Sequence, residues 1–216
     1  MFFRSKILAQ KLLHWYERHG RIFSFRKAST PYEVLIAEIM LRKTTARQVN
    51  KVWPEFVKRF PTIEALSKAD EREVERLIAP LGIKKRAHDL VMIAKAIVKY
   101  YGKFPHDVKE LIKLPGVGEY VANCVACFCF GKKLPLVDSN VRRVLTRLFG
   151  TELRGLRGRE LDEKINRGYL ELMPSNNIRK FHYAMLDLAA LICKPKNPKC
   201  DYCPLKTWCS YSKLKV

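Results

Sequence analysis

Apolar positions recur at helical spacing along nearly the whole chain. Leu8, Leu12, Leu13 and Trp15 mark one face of an amphipathic helix over Ile7 to Arg18, ended near Gly20. Ser29-Thr30-Pro31 offers a hydroxyl N-cap and then a proline in the first turn, so a second helix starts there. From Val34 to Leu41 every residue but Glu38 is apolar. Asp70, with Glu73 three residues on, reads as a capping-box start for a helix through Leu77. Pro105 and Asp107 open a short helix, Val108 to Leu114. Leu114-Pro115-Gly116-Val117-Gly118 then breaks the pattern, and Glu119 to Phe130 restarts it. A further helix is expected over Asn140 to Leu148. No stretch alternates apolar and polar residues long enough to propose a sheet, so the expected class is all-α.

Charge changes the picture more than composition does. The 216 residues suffice for one domain or two small ones, and 48% hydrophobic content predicts a globular chain. Lys and Arg number 42 against 21 Asp and Glu, a formal net charge of +21. That excess implies a polyanionic partner, most simply nucleic acid. A membrane surface is the competing reading. No apolar run reaches the roughly 18–20 residues of a spanning helix. The charge is also spread along the chain, not gathered in a polybasic tail. Met1-Phe2-Phe3-Arg4-Ser5-Lys6 shows no secretory h-region or cleavage site. The expected place is the cytoplasm, at the nucleoid. Scarce Gln beside plentiful Lys, Arg and Glu hints at a thermophilic source.

Four cysteines near the C-terminus, Cys193, Cys200, Cys203 and Cys209, are spaced C-x6-C-x2-C-x5-C. Four thiolates close in sequence can surround one metal centre, and unequal loops suit the corners of a [4Fe–4S] cluster. Structural zinc is the alternative, although only Cys200 and Cys203 form a short zinc-type knuckle. Disulfides fit poorly with a basic chain that lacks a secretory signal. Between the first two ligands lies Lys194-Pro195-Lys196-Asn197-Pro198-Lys199, stiffened by its prolines. Its lysines either face phosphate or are simply solvated. Cys124, Cys127 and Cys129 form a second group, but their neighbours are apolar and they read as core.

The break at Gly116-Val117-Gly118 has two readings. It is a plain turn between helices, or it grips a phosphate. Glycine permits positive φ and close backbone approach, and a helix N-terminus after Gly118 presents bare N–H groups to an anion.

Taken in order, Leu-Pro-Gly-Val-Gly, then Val137-Asp138, then the four cysteines, the chain resembles the helix-hairpin-helix DNA glycosylase superfamily, endonuclease III branch. The likeness runs from about Trp15 to Cys209. It implies two helical domains with the active-site cleft between them. Residues 1–25 with 136–216 would carry the [4Fe–4S] loop. Residues 26–135 would form a six-helix barrel with the hairpin. Pro31 to Leu41 resembles a segment shared by adenine glycosylases and archaeal-type thymine/uracil mismatch glycosylases. Leu41-Arg42-Lys43-Thr44-Thr45-Ala46 looks more like the mismatch group, where adenine enzymes usually have Gln-Gln-Thr. Adenine enzymes also usually carry a further C-terminal domain, whereas this sequence ends seven residues past Cys209. The expected function is therefore excision of thymine, uracil or a damaged pyrimidine mispaired with guanine. An adenine glycosylase and a catalytically silent iron–sulfur DNA-binding module are the alternatives.

The chemistry follows residue by residue. Breaking an N-glycosidic bond builds oxocarbenium character on the sugar, which a fixed carboxylate can stabilise. Asp138 matches the superfamily's catalytic aspartate; as a bare residue it reads more readily as the N-cap of the following helix. Glu38, in its apolar stretch, is expected to be desolvated, which raises a carboxyl pKa and suits proton donation to the leaving base. Bifunctional relatives have a lysine at the position of Tyr120; tyrosine cannot form their imine, so a monofunctional enzyme is expected. Lys43 and Ile83 fall near strand-insertion positions, where side chains fill the gap left by an extruded nucleotide. Ala46 and Tyr183 are placed in the base pocket. Tyr183 matches neither the leucine of a mismatch relative nor the glutamine of adenine enzymes. Gly116, Val117, Gly118, Lys194, Lys196 and Lys199 are the expected phosphate contacts. The implied partners are mismatched or damaged duplex DNA and a later abasic-site nuclease, with the protein itself a monomer.

Overall fold

Side-chain caps set where many of the helices start. In the computed structural model, which describes residues 2–82, 85–102 and 104–214, the α-helices are α1 (Phe2–His19), α2 (Pro31–Leu41), α3 (Ala46–Arg59), α4 (Ile63–Ser67), α5 (Glu71–Ile78), α6 (Lys85–Ala96), α7 (Val108–Ile112), α8 (Glu119–Phe130), α9 (Ser139–Leu148), α10 (Gly158–Leu172), α11 (Ile178–Leu191) and α12 (Ser210–Lys213). No strand occurs among the described residues, so the all-α expectation holds. Thr30 accepts from the Glu33 amide while Glu33 accepts from the Thr30 amide, a full capping box ahead of Pro31. Thr45 and Gln48 repeat the device at α3. At α5 only half of the expected box forms. Asp70 caps the Arg72 amide, but Glu73 is drawn into an ion pair with Arg59. Helix α1 already begins at Phe2, since nothing before Ile7 breaks it. Helix α7 stops at Ile112, where the chain turns toward the hairpin.

The chain divides into two compact units, residues 1–21 with 133–216 and residues 22–132. In the second unit α2 is the central element. Tyr32, Val34, Leu35, Ile36, Ala37, Glu38, Ile39 and Met40 are all buried, as expected for a helix that is apolar nearly all round. It packs on α8, α3 and α6. Cys124 and Cys127 of α8 are buried and Cys129 partly so, in keeping with their reading as packing residues.

In the first unit α1 packs on α11, and α9 packs on α10, α11 and α12. Two ion pairs tie the N- and C-terminal parts of this unit together among the described residues, an exposed one between Glu17 and Lys180 at 2.7 Å and a buried one between Arg21 and Asp187. Asp187, 0% exposed, accepts from the Arg21 amide at 2.6 Å and from Arg21 Nε at 2.7 Å. A carboxylate that deep in the protein is tolerable only when paired and hydrogen-bonded. Removing one partner of a buried pair is far more costly than the pair is worth.

Arg21→Met should therefore lower the unfolding free energy by about 3 kcal/mol, measured by denaturant titration. A loss below about 0.5 kcal/mol, as for exposed pairs, would contradict this reading.

Candidate functional site

The hairpin lies in the second unit. After α7 the chain runs through Leu114 to Gly118, with the Val117 amide donating to the Leu114 carbonyl at 3.1 Å. Gly116 has φ +71, a left-handed backbone that other residues adopt only with strain. Gly118 does not share this. It sits at φ −89, ψ 171, an extended N-cap, and a Cβ there would meet open space. No side chain caps α8, so its first-turn amides point outward from a helix terminus, as an anion grip requires. Val117, between the glycines, is buried and anchors the turn to the core.

Other candidates cluster on neighbouring elements of that unit. Glu38 is 7% exposed on α2, which excludes a surface glutamate. Tyr120 stands in the first turn of α8, partly buried against the core. Lys43 is exposed and has φ +53, a left-handed conformation that costs a non-glycine residue about 1 kcal/mol. Its loop is held on both sides. Arg42 Nη1 donates to the Gly116 carbonyl at 2.7 Å, and Gln48 reaches the Pro80 carbonyl at 3.4 Å. Ala46 opens α3 and is partly buried. Ile83 lies outside the described residues.

The remaining candidates belong to the first unit. Asp138 is the N-cap of α9. Its Oδ1 accepts from the amides of Asn140 at 2.9 Å and Val141 at 2.7 Å, and Oδ2 accepts from Asn140 Nδ2 at 3.1 Å. The capping reading is therefore correct as structure, and it also fixes the carboxylate in one orientation. Tyr183 is buried on α11, with its ring 6.2 Å from that of His182.

The four C-terminal cysteines are half-buried, and none of the seven cysteines is in a disulfide. Burial pushes the Cys203 thiol up to about 12, and the nearby Cys209, Cys193 and Cys200 push in the same direction. Cys209 is raised by burial too, against amide hydrogen bonds from Ser212 and Tyr211. The four sulfurs thus sense one another electrostatically, and backbone N–H groups face two of them. Among the described residues, no group of three or more His, Cys, Asp or Glu side chains stands close enough to hold a single metal ion. Four thiolates in one loop are a donor set that either a [4Fe–4S] cluster or a zinc ion can use. Lys194, Lys196 and Lys199 are exposed.

Two residues that the sequence pattern did not single out hold this loop. Arg143 donates to the Cys193 carbonyl at 3.0 Å and the Ala189 carbonyl at 3.1 Å. Arg147 donates to the carbonyls of Lys194 at 2.7 Å and Pro195 at 2.9 Å, and lies 3.4 Å from Cys193 Sγ. Both come from α9, four residues apart on one face. That spacing was the available signal.

Comparison with known proteins gives these features a context. Residues 36–169 match the model of the HhH-GPD superfamily of base excision DNA repair proteins. A thymine-DNA glycosylase of Aeropyrum pernix is 39% identical over 96% of this chain and 95% of its own length. An adenine DNA glycosylase of Mycobacterium tuberculosis is 36% identical over 93% of this chain and 66% of its own. Among solved structures, that of a thermostable thymine-DNA glycosylase superposes with TM-score 0.88 at 32% identity, covering 97% of both chains. The family match spans more than half of the chain and the thymine-DNA glycosylase likeness nearly all of it, so the chain belongs to the HhH-GPD superfamily of base excision DNA repair proteins.

Proposed function

We propose that this protein is a monofunctional DNA glycosylase that removes thymine or uracil mispaired with guanine. The observation that carries the chemistry is Asp138, a carboxylate fixed by three hydrogen bonds at the start of α9. The substrate class rests on the thymine glycosylase likeness along nearly the full length of both chains, and on Arg42-Lys43-Thr44 in the loop after α2. The adenine reading is the runner-up, since an adenine glycosylase is nearly as similar in sequence. Residues 22–132 serve as the helical barrel, and the other unit carries the cluster loop.

The proposed mechanism starts with extrusion of the nucleotide, the hairpin amides and surrounding lysines holding the backbone. The C1′–N bond breaks with its electron pair leaving on the base. Asp138 meets the positive charge that builds on the sugar. Glu38, on buried helix α2, delivers a proton to the departing base or hydrogen-bonds its edge. Water then adds to C1′ and gives up a proton. Tyr120 offers no amine, so no imine forms and the strand stays whole; the product is an abasic site for a later nuclease. Cys193, Cys200, Cys203 and Cys209 would hold a [4Fe–4S] cluster, which supplies a crosslink between the loop turns and takes no part in bond breaking. The loop so ordered presents Lys194, Lys196 and Lys199 to phosphate.

Asp138→Asn keeps shape and removes charge. Single-turnover base release from a G·T duplex should fall by roughly a hundredfold to a thousandfold, with duplex affinity retained. Rates like wild type would remove Asp138 from the mechanism.

Wild-type protein should leave the strand intact until alkali is added, and borohydride should trap no protein–DNA adduct. Tyr120→Lys places an amine in the first turn of α8, and this variant should trap and nick. Strong trapping by the wild type would mean that another amine is the nucleophile.

The purified protein should contain about four irons per chain and no zinc. Arg147→Ala removes two carbonyl contacts from the cluster loop and should release iron to a chelator several-fold faster, with stability lowered by about 1–3 kcal/mol. Stoichiometric zinc without iron would contradict the cofactor assignment.

A further inference from the structure

One cavity lies on the flank of the hairpin and shares Arg42 and Lys43 with the loop after α2. It measures about 210 Å³ and is lined by Ile39, Arg42, Lys43, Lys85, Arg86 and Asp89. Four cationic side chains thus line it with a single carboxylate; Arg42, Lys43 and Lys85 are exposed, and Arg86 alone is buried.

Arg86 is the decisive residue. It is 3% exposed, and its Nη2 donates to the Arg42 carbonyl. Its Nη1 is buried and has no hydrogen-bond partner among the described residues. An unmet donor on a buried charged group costs about 1–3 kcal/mol or more, and most such groups in folded proteins are satisfied. Burial holds the Arg86 guanidinium below its ordinary range, and Arg42 pushes the same way while Asp89 opposes them. The local field therefore carries excess positive charge around an unmet donor.

Arg42 places the cavity beside the hairpin. Its Nη1 donates to the Gly116 carbonyl at 2.7 Å, and a Cβ on Gly116 would lie 3.6 Å from both Arg42 Nη1 and Asp89 Oδ2. The cavity therefore adjoins Gly116, which precedes the N-terminus of α8. Lys43, in its left-handed conformation, stands at the rim, and exposed Lys85 begins α6.

We propose that this cavity is a second phosphate seat, in which Arg86 and Lys85 receive one backbone phosphodiester of the duplex beside the one gripped by the hairpin. The seat rests on the glycosylase reading for its ligand. Arginine matches phosphate oxygens with paired N–H donors, and a seated phosphate satisfies Nη1 and offsets the repulsion from Arg42. Asp89 keeps the site from retaining small anions too tightly by opposing part of its charge.

The test is a binding scan with duplexes that each carry one uncharged methylphosphonate linkage. Wild-type protein should show penalties at several linkages. In Arg86→Gln one of these penalties should vanish, while the others remain. The slope of log K against log salt should fall by about 1. Because Arg86 is buried and that variant could fail to fold, Lys85→Ala, an exposed change, should erase or halve the penalty at the same linkage. An unchanged penalty map in both folded variants overturns the proposal, and so does uniform weakening at every linkage. A lost preference tied to the base opposite the target, with no linkage affected, overturns it in favour of base contact. Base release by wild type from G·T duplex is measured in parallel. Its absence would sink the glycosylase reading and leave the linkage map to report on the cavity.

Discussion

Helix α9 is fastened along one side by two arginines, and much of the first unit depends on that fastening. Arg143 and Arg147 spend their donors on backbone carbonyls of the segment from Ala189 to Pro195. The six-residue connection between Cys193 and Cys200 is tied back as well by the Lys194 and Lys199 amides, which both donate to the Ile192 carbonyl at 2.9 Å. Guanidinium groups suit the task because their fork of donors spans adjacent carbonyls and their charge survives partial burial. The same helix is capped by Asp138. A single rigid rod therefore positions the proposed catalytic carboxylate at its end and the cysteine loop along its flank. The cysteine loop and the Asp138 carboxylate are thus linked through one helix.

The second unit shows a different economy of polar groups. Arg42 and Arg86 sit near one another, each tied to a backbone carbonyl rather than to a carboxylate. Like charges held so close oppose folding unless some partner compensates them. Together with the left-handed Lys43, they make up the region proposed as the second phosphate seat. Sites for anionic ligands commonly carry such uncompensated charge in the free protein.

Features set by neighbours in sequence were legible from the sequence. Thr30 and Asp107 cap as their chemistry suggests, and α8 starts after Gly118 as the break in pattern implies. Glu38 reads as buried because every residue around it is apolar. What escaped depends on partners distant in sequence. Glu73 had a local capping role available, yet pairs with Arg59 on another helix. Arg21 and Asp187 meet across 166 positions, and no periodicity marks either as a partner. Arg86 resembled any surface residue at the start of a helix until packing enclosed it. Asp138 is the instructive case, because capping and catalysis ask for the same residue at the same place. Local pattern finds it, but only the superfamily resemblance chooses between the roles.

The claim that the protein acts on a pyrimidine opposite guanine is tested most directly by single-turnover base release. Matched duplexes carrying G·T, G·U and A opposite 8-oxoguanine would be compared at saturating protein. The mismatch reading predicts release of thymine and uracil at rates at least tenfold above adenine, with strands whole before alkali. Faster release of adenine would contradict it and assign the chain to the adenine branch.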